Sequence, residues 1–81
     1  MYRYKTSGVC SSQIDFDIVD NKITHVTFYG GCNGNTQGIS LLVEGRDVDD
    51  AISRLKGVRC GGKGTSCPDQ LARALEQATK Q

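Results

Sequence analysis

Two short segments separated by a pair of turn residues constrain the fold of this chain most strongly. Residues 13–19, QIDFDIV, alternate between apolar and polar side chains, which is typical of a strand buried on one face. Asp20-Asn21 is a turn signal, and residues 22–29, KITHVTFY, have the composition of a returning strand. The sequence therefore predicts an antiparallel hairpin whose first strand buries Ile14, Phe16 and Ile18.

The register of this hairpin can be predicted from its apolar residues. A two-residue turn would set His25 and Thr27 beside the apolar face of the first strand, whereas a three-residue turn sets Val26 and Phe28 there. Because a slip of one residue moves every side chain to the other face, the apolar match favours the three-residue turn. On this register the opposite face carries His25, Ile23 and Tyr29.

Three stretches after the hairpin have the apolar spacing of helices. The first is expected to begin at an Asn35 cap and to bury Ile39, Leu42 and Val43. The second is expected to begin at an Asp47 cap, and its apolar positions are Val48, Ala51, Ile52 and Leu55. Pro68 suits a first helical position, which makes Cys67 the expected N-cap of a third helix with an apolar face of Leu71, Leu75 and Ala78.

Together with a first strand over residues 2–6, these elements predict one α+β domain over residues 1–81. We expect a small three-stranded antiparallel sheet with about three helices packed on one side. With 81 residues, 37% of them apolar, the core is small, and such a domain often needs a metal, a disulfide or a partner.

Charge and hydropathy exclude several classes of partner. A net charge of +1 gives no electrostatic case for binding nucleic acid or an anionic membrane. The sequence has no apolar run long enough to span a bilayer and no recognisable secretion signal. We therefore expect a cytoplasmic protein that binds neither nucleic acid nor a membrane.

The candidate functional residues are four cysteines in glycine-rich or polar segments: Cys10, Cys32, Cys60 and Cys67. No pair has C-x-x-C spacing. Cys10 precedes the first strand of the hairpin and Cys32 follows the second, so the open end of the hairpin is expected to bring these two to one edge of the sheet. The other two flank a flexible loop, GGKGTS. In the cytosol, clustered cysteines more often bind metal or act in catalysis than form disulfides.

Two of the four cysteines also precede predicted helix starts. Free N–H groups at a helix N-terminus favour the thiolate form of cysteine, which is the form that binds metal. Thiolates suit Zn²⁺ or an iron–sulfur cluster. The alternative is that these cysteines only fill core space, because free cysteine is among the most buried residue types.

The remaining polar residues predict no catalytic constellation. His25 lies in mid-strand, away from the open edge, and Asp47 and Asp69 are expected to be capping and dipole charges. The glycine loops do not match the phosphate-binding pattern GxxxxGK[ST], and no Ser–His–Asp set is visible. We therefore expect no catalytic residue and no nucleotide-cofactor site.

The segment "GTSCPDQLA" resembles the TSCPD-domain family, whose core motif is complete here at residues 65–69. The surrounding "FYGGCNGN", "GISLLVEG" and "LKGVRCGGKGTSCPDQLARAL" fit as well, so the resemblance covers almost the whole chain. The same domain occurs at the C-terminus of adenosylcobalamin-dependent ribonucleotide reductases, which implies a partner among reductases or other enzymes of nucleotide metabolism. At 81 residues the chain is too short to hold the radical-bearing barrel and cobalamin site of such a reductase. The resemblance also implies that the four cysteines are metal ligands.

A looser resemblance is to the NifU/IscU-type iron–sulfur scaffold, which has the same order of a cysteine loop, a hairpin, "F-x-G-C", two helices, a cysteine and a last helix. Three residues match the scaffold cysteines: Cys10, Cys32 and Cys67. Ser12 and Ser66 stand where the scaffold has an acidic residue and a His that aid cluster handling, which counts against cluster assembly. With Cys60 as a fourth thiolate, the resemblance implies a closed site, and closed four-thiolate sites usually hold structural zinc.

The sequence thus predicts a small cysteine-site module that binds a metal, with Zn²⁺ favoured over an Fe–S cluster. Two alternatives stay open. One is a thiol-redox protein in which Cys60 and Cys67 cycle between dithiol and disulfide. The other is a metal-free interaction domain with buried free cysteines.

Overall fold

A small antiparallel sheet and three helices make up the fold over residues 2–9, 11–30, 33–58 and 64–79, the part of the chain that the computed structural model describes. The strands are β1 (Tyr2–Lys5), β2 (Ser11–Val19) and β3 (Lys22–Gly30), with β2 between the other two. The helices are α1 (Asn33–Val43), α2 (Val48–Leu55) and α3 (Cys67–Thr79). The predicted α+β class, with a three-stranded antiparallel sheet and three helices, is confirmed.

The hairpin has the predicted apolar pairing but not the predicted turn. Ile14 pairs with Phe28 and Phe16 with Val26, while the turn itself has two residues, Asp20 and Asn21, both with positive φ. A two-residue turn with positive φ at both positions matches the twist of the flanking strands.

A β-bulge makes this turn compatible with that pairing. Ile18 pairs with Ile23, but the next pair along is Asp17 with His25, so Thr24 lies opposite no residue of β2. The extra residue restores the apolar register and also turns Ile23 into the core, where it is fully buried. The prediction that Ile23 shares a face with His25 is therefore wrong, whereas His25 is exposed as expected.

Helix α1 differs from the prediction at its start and along its buried face. It begins at Asn33, two residues before the expected cap. Val43 is buried and Ile39 packs against the core, but Leu42 is 70% exposed. Neighbouring residues of a helix point about 100° apart, so a helix that packs against β3 with Val43 turns Leu42 towards solvent.

Helix α2 follows the prediction closely. Val48 and Ala51 are buried, and Ile52 and Leu55 pack against the core. Asp47 precedes the helix, but its side chain makes no capping hydrogen bond and instead lies 3.6 Å from the Lys22 ammonium.

The core lies between one face of the sheet and the helices. Its largest side chains are Phe16, Ile14, Ile23, Leu71 and Leu75, and α1 and α2 contribute Val43, Val48 and Ala51. Burial of one such large side chain stabilises a fold by about 1.5–3 kcal/mol. Among the described residues, no helix is both long enough and apolar enough to cross a membrane.

Candidate functional site at the start of helix α3

The first turn of α3 is shaped by Ser66, which acts as its N-cap. The Ser66 hydroxyl oxygen accepts a hydrogen bond from the Asp69 backbone N–H at 3.2 Å, and the Ser66 carbonyl accepts one from the Gln70 N–H at 2.8 Å. Cys67 is therefore the first helical residue and Pro68 the second, where the missing N–H of proline costs nothing. The expectation that Cys67 is the N-cap is wrong by one residue.

Ser66 also ties α3 to the end of α2. Its hydroxyl donates to the Val58 carbonyl at 2.6 Å, and the residue is almost completely buried. The same side chain thus caps α3 and binds the segment that follows α2. One hydroxyl therefore holds the two ends of the α2–α3 connection next to each other.

Asp69 lies beneath this turn and is 1% exposed. One carboxylate oxygen accepts the Gly57 backbone N–H at 2.7 Å, and the other accepts the Thr65 hydroxyl and the Arg73 guanidinium, the latter at 2.9 Å. Gly57 has a φ of 89°, a conformation that glycine adopts without strain. With both oxygens engaged by donors, Asp69 acts as a structural acceptor rather than as a general base.

The pKa of Asp69 reflects two opposing influences. Burial is the largest and raises the pKa, but the hydrogen bonds from Thr65 and Gly57 and the charge of Arg73 together outweigh it. The net pKa of Asp69 is lowered. Its expected role as a dipole charge at the helix start is therefore incomplete, because the side chain is buried and joins two segments.

Gln70 is a second buried polar residue in this turn, which the sequence did not single out. Its Oε1 accepts the Ser7 backbone N–H at 3.2 Å, and its Nε2 donates to the Thr65 hydroxyl oxygen at 3.0 Å. The side chain therefore bridges the β1–β2 connection and the segment before α3. The i, i+4 spacing from Thr65 to Asp69, with Arg73 four residues further, was the sequence signal for the polar network around it.

Cys67 lies where α3 meets the open end of the hairpin. It is half-buried, and its Sγ is 3.2 Å from the hydroxyl oxygen of Ser11, the first residue of β2. Ser11 is buried, pairs with Gly30 of β3, and its carbonyl accepts the Thr6 hydroxyl. A half-buried cysteine sulfur is a ligand atom that suits Zn²⁺, so the chemistry of this position fits a metal ligand.

The other three predicted ligands, Cys10, Cys32 and Cys60, lie outside the described residues, so their assignment as ligands stays a prediction. Their described chain neighbours are linked to Cys67 or to the residue before it. Ser11 follows Cys10 in the chain, Gly30 is two residues before Cys32, and Val58 is two residues before Cys60. Ser11 contacts Cys67 and pairs with Gly30, while Val58 accepts the hydrogen bond from Ser66.

The other charged and polar candidates lie elsewhere. His25 is exposed, and its Nε2 is 2.8 Å from the Thr27 hydroxyl. Asp50 pairs with Arg46 and Arg54 on the surface of α2, and the hydrogen bond from Arg54, opposed by burial, lowers its pKa. Among the residues that the structure describes, no three His, Cys, Asp or Glu side chains are grouped to hold a metal ion.

Comparison with known proteins identifies the family. The family model of the TSCPD domain matches residues 2–79, nearly the whole chain, so the chain belongs to the TSCPD domain family. No curated protein matches the chain, and no solved structure does.

Proposed function

We propose that this TSCPD domain is a cysteine-site binding module in which Cys10, Cys32, Cys60 and Cys67 hold one metal ion. The observation that supports the proposal is the contact between Cys67 and Ser11 at 3.2 Å. Cys10 precedes Ser11 in the chain, and consecutive Cα atoms are about 3.8 Å apart, so this contact supports the proposal that Cys10 and Cys67 share a site. The pairing of Ser11 with Gly30 and the hydrogen bond from Ser66 to Val58 support the approach of the other two cysteine segments.

Zn²⁺ is the proposed metal, in preference to an iron–sulfur cluster. Four thiolates fill the tetrahedral coordination of Zn²⁺ and leave no open position, which is typical of a structural site. Such a site would stabilise the fold, because metal binding to the folded chain adds to its folding free energy. No side chain of the module is assigned a catalytic role in this proposal.

The proposed setting is the cytoplasm, with a protein partner rather than a nucleic acid or a membrane. Membership of the TSCPD family supports a partner among ribonucleotide reductases or other enzymes of nucleotide metabolism. A net charge of +1 gives little attraction to polyanions.

The test is the metal content of freshly purified protein, prepared without chelator and under nitrogen. We expect about one zinc per chain and no colour, and a lower unfolding temperature after a strong chelator removes the metal. Iron with broad visible absorbance would assign a cluster instead. The absence of both metals, together with four titratable thiols, would refute the proposal.

A matched variant separates a built site from adventitious binding to thiols. Cys67→Ser combined with Ser53→Cys keeps four thiols but moves one to the exposed face of α2. We expect this double variant to lose the tightly bound zinc. Retention of one zinc at unchanged affinity would show that Cys67 is not a ligand.

A thiol-redox function is the second candidate, and the half-buried position of Cys67 beside Ser11 supports it. In that case Cys60 and Cys67 would cycle between dithiol and disulfide. Alkylation at graded pH distinguishes the two functions. A metal-free protein with one cysteine that reacts rapidly at about pH 6 to 7 would favour redox chemistry.

A further inference from the structure

The side-chain amide of Gln70 joins two segments that lead to cysteines. Gln70 is 2% exposed and lies in the first turn of α3. Ser7, whose N–H it accepts, is three residues before Cys10. Thr65, to which it donates, is two residues before Cys67. One buried side chain therefore spans the gap between the β1–β2 connection and the start of α3.

The hydrogen bonds of this amide have a fixed direction. A backbone N–H can only donate, so the atom that faces Ser7 must be the amide oxygen of Gln70. The amide nitrogen then faces Thr65 and can only donate, so the Thr65 hydroxyl accepts there and gives its own hydrogen to Asp69. Each donor in this chain of hydrogen bonds has one acceptor, and an apolar side chain of the same length would leave the Ser7 N–H without its acceptor.

The two segments also approach each other closely beside the amide. A Cβ built on Gly8 would lie 3.4 Å from the Thr65 methyl group, and Gly8 has a φ of 74° that favours glycine. The two segments are therefore close together at Gly8 and Thr65. The Gln70 amide bridges the same two segments through Ser7, the neighbour of Gly8, and through Thr65 itself.

We infer that Gln70 is a positioning residue, which sets the separation between the chain leading into Cys10 and the chain leading into Cys67. The inference rests on the proposed function, since the separation matters for a site that both cysteines share. Groups that orient metal ligands without touching the metal commonly change metal affinity when they are replaced.

The first test measures zinc affinity by competition with a chromophoric chelator, in wild type and in Gln70→Met. Methionine fills the same volume without hydrogen bonds, and we expect zinc affinity to fall by about tenfold or more. Gln37→Met, at an exposed position of α1, is the control for the chemical change and should keep the wild-type affinity. Ala78→Gly, near the other end of α3, is the control for lost helix stability.

The two controls decide between positioning and simple stabilisation. A loss of affinity in Gln70→Met that is absent from Ala78→Gly, at a temperature where both are folded, supports positioning. Equal affinities in these two variants would overturn it.

The second test does not depend on metal. In reduced, metal-free protein, a thiol oxidant such as diamide is added and the rate of the disulfide between Cys10 and Cys67 is followed by peptide mapping. We expect Gln70→Met to slow this step about fivefold, because looser segments lower the effective concentration of one thiol at the other. An unchanged rate would overturn the inference. If wild type takes up no metal, the proposed function alone fails, and this rate decides the positioning role.

Discussion

Two carboxylates in this domain are almost equally buried but are held in different ways. Asp69 is 1% exposed at the start of α3, and Asp15 is 3% exposed on the sheet face that points away from the core. Both have a lowered pKa, and in both burial is the largest influence and opposes that shift. Their difference lies in the donors that outweigh burial.

The donors to Asp69 include a backbone N–H and a half-buried hydroxyl, besides the guanidinium of Arg73, whose side chain is 51% exposed. Gly57 gives a backbone N–H from beyond α2, and Thr65 gives a hydroxyl from the segment before α3. Water cannot easily replace these donors. The carboxylate therefore connects the chain that follows α2 to the chain that precedes α3.

The donors to Asp15 are side chains at the surface. Arg3 and Gln13 bind one oxygen at 3.2 and 3.0 Å, and the Tyr29 hydroxyl binds the other at 3.2 Å. The Arg3 side chain is 70% exposed, so solvent screens it and water can replace it. Equal burial of a carboxylate therefore does not imply an equal contribution to stability.

The largest expected effect is that of Asp69→Asn. The amide keeps one acceptor but turns a donor towards Thr65 and Arg73, so hydrogen bonds to a buried charge are lost. We expect the free energy of unfolding to fall by about 2–3 kcal/mol. Urea denaturation of reduced protein in chelator, which removes any contribution from metal, measures this loss.

Asp15→Asn is the matched control, because it makes the same chemical change at a similarly buried carboxylate. We expect a clearly smaller loss of stability for this variant under the same conditions. A loss as large as that of Asp69→Asn would contradict the distinction between backbone and surface donors.

A smaller effect is expected from Ser66→Ala, which measures the contribution of the helix cap to stability independently of the Asp69 carboxylate. The change removes the acceptor for the Asp69 N–H and the donor to the Val58 carbonyl. We expect a loss of about 1 kcal/mol, the usual cost of losing an N-cap. Ser53→Ala, which removes an exposed hydroxyl bonded to the Asp50 carbonyl, should change stability by less than about 0.5 kcal/mol. Equal losses of unfolding free energy at the two serines would show that the Ser66 cap stabilises the fold no more than an exposed serine hydroxyl does.

The sequence predicted the parts of the fold that depend on apolar spacing. The pairing of Phe16 with Val26, the buried face of α2 and the apolar face of α3 all follow from burial of one face of each element. It missed the bulge at Thr24, although the spacing of three residues between buried Ile23 and Val26 breaks the alternation of β3, because a longer turn explained the register equally well. Leu42 was misassigned because two adjacent apolar residues give no indication of which one faces the sheet.

The polar site was harder to predict than the core. Cys67 at the start of a helix was visible from Pro68, although the cap lies one residue earlier, at Ser66. Asp69 and Gln70 looked like ordinary residues of a helix start, because their distant partners are backbone N–H groups, of Gly57 and Ser7. Local sequence patterns contain no information about such contacts until the fold brings the segments together.

The subtlest expected effect concerns how Asp15 responds to acid. Because the pKa of Asp15 is lowered in the folded state, its ionised form stabilises the fold fully above the ordinary carboxyl pKa of about 3.9. That contribution is lost as the pH falls through the lowered pKa of the folded state, since the unfolded chain takes up the proton first. Asp15→Asn has no such proton to bind, so its unfolding free energy should fall less steeply below about pH 4 than that of wild type.

Urea denaturation at a series of pH values from 7 to 3 measures the unfolding free energy of both proteins, and the contributions of the other carboxylates cancel in the difference between the two curves. Parallel curves would show that the surface donors leave Asp15 with the same proton affinity in the folded and unfolded chains, and would place all of the acid sensitivity in groups such as Asp69.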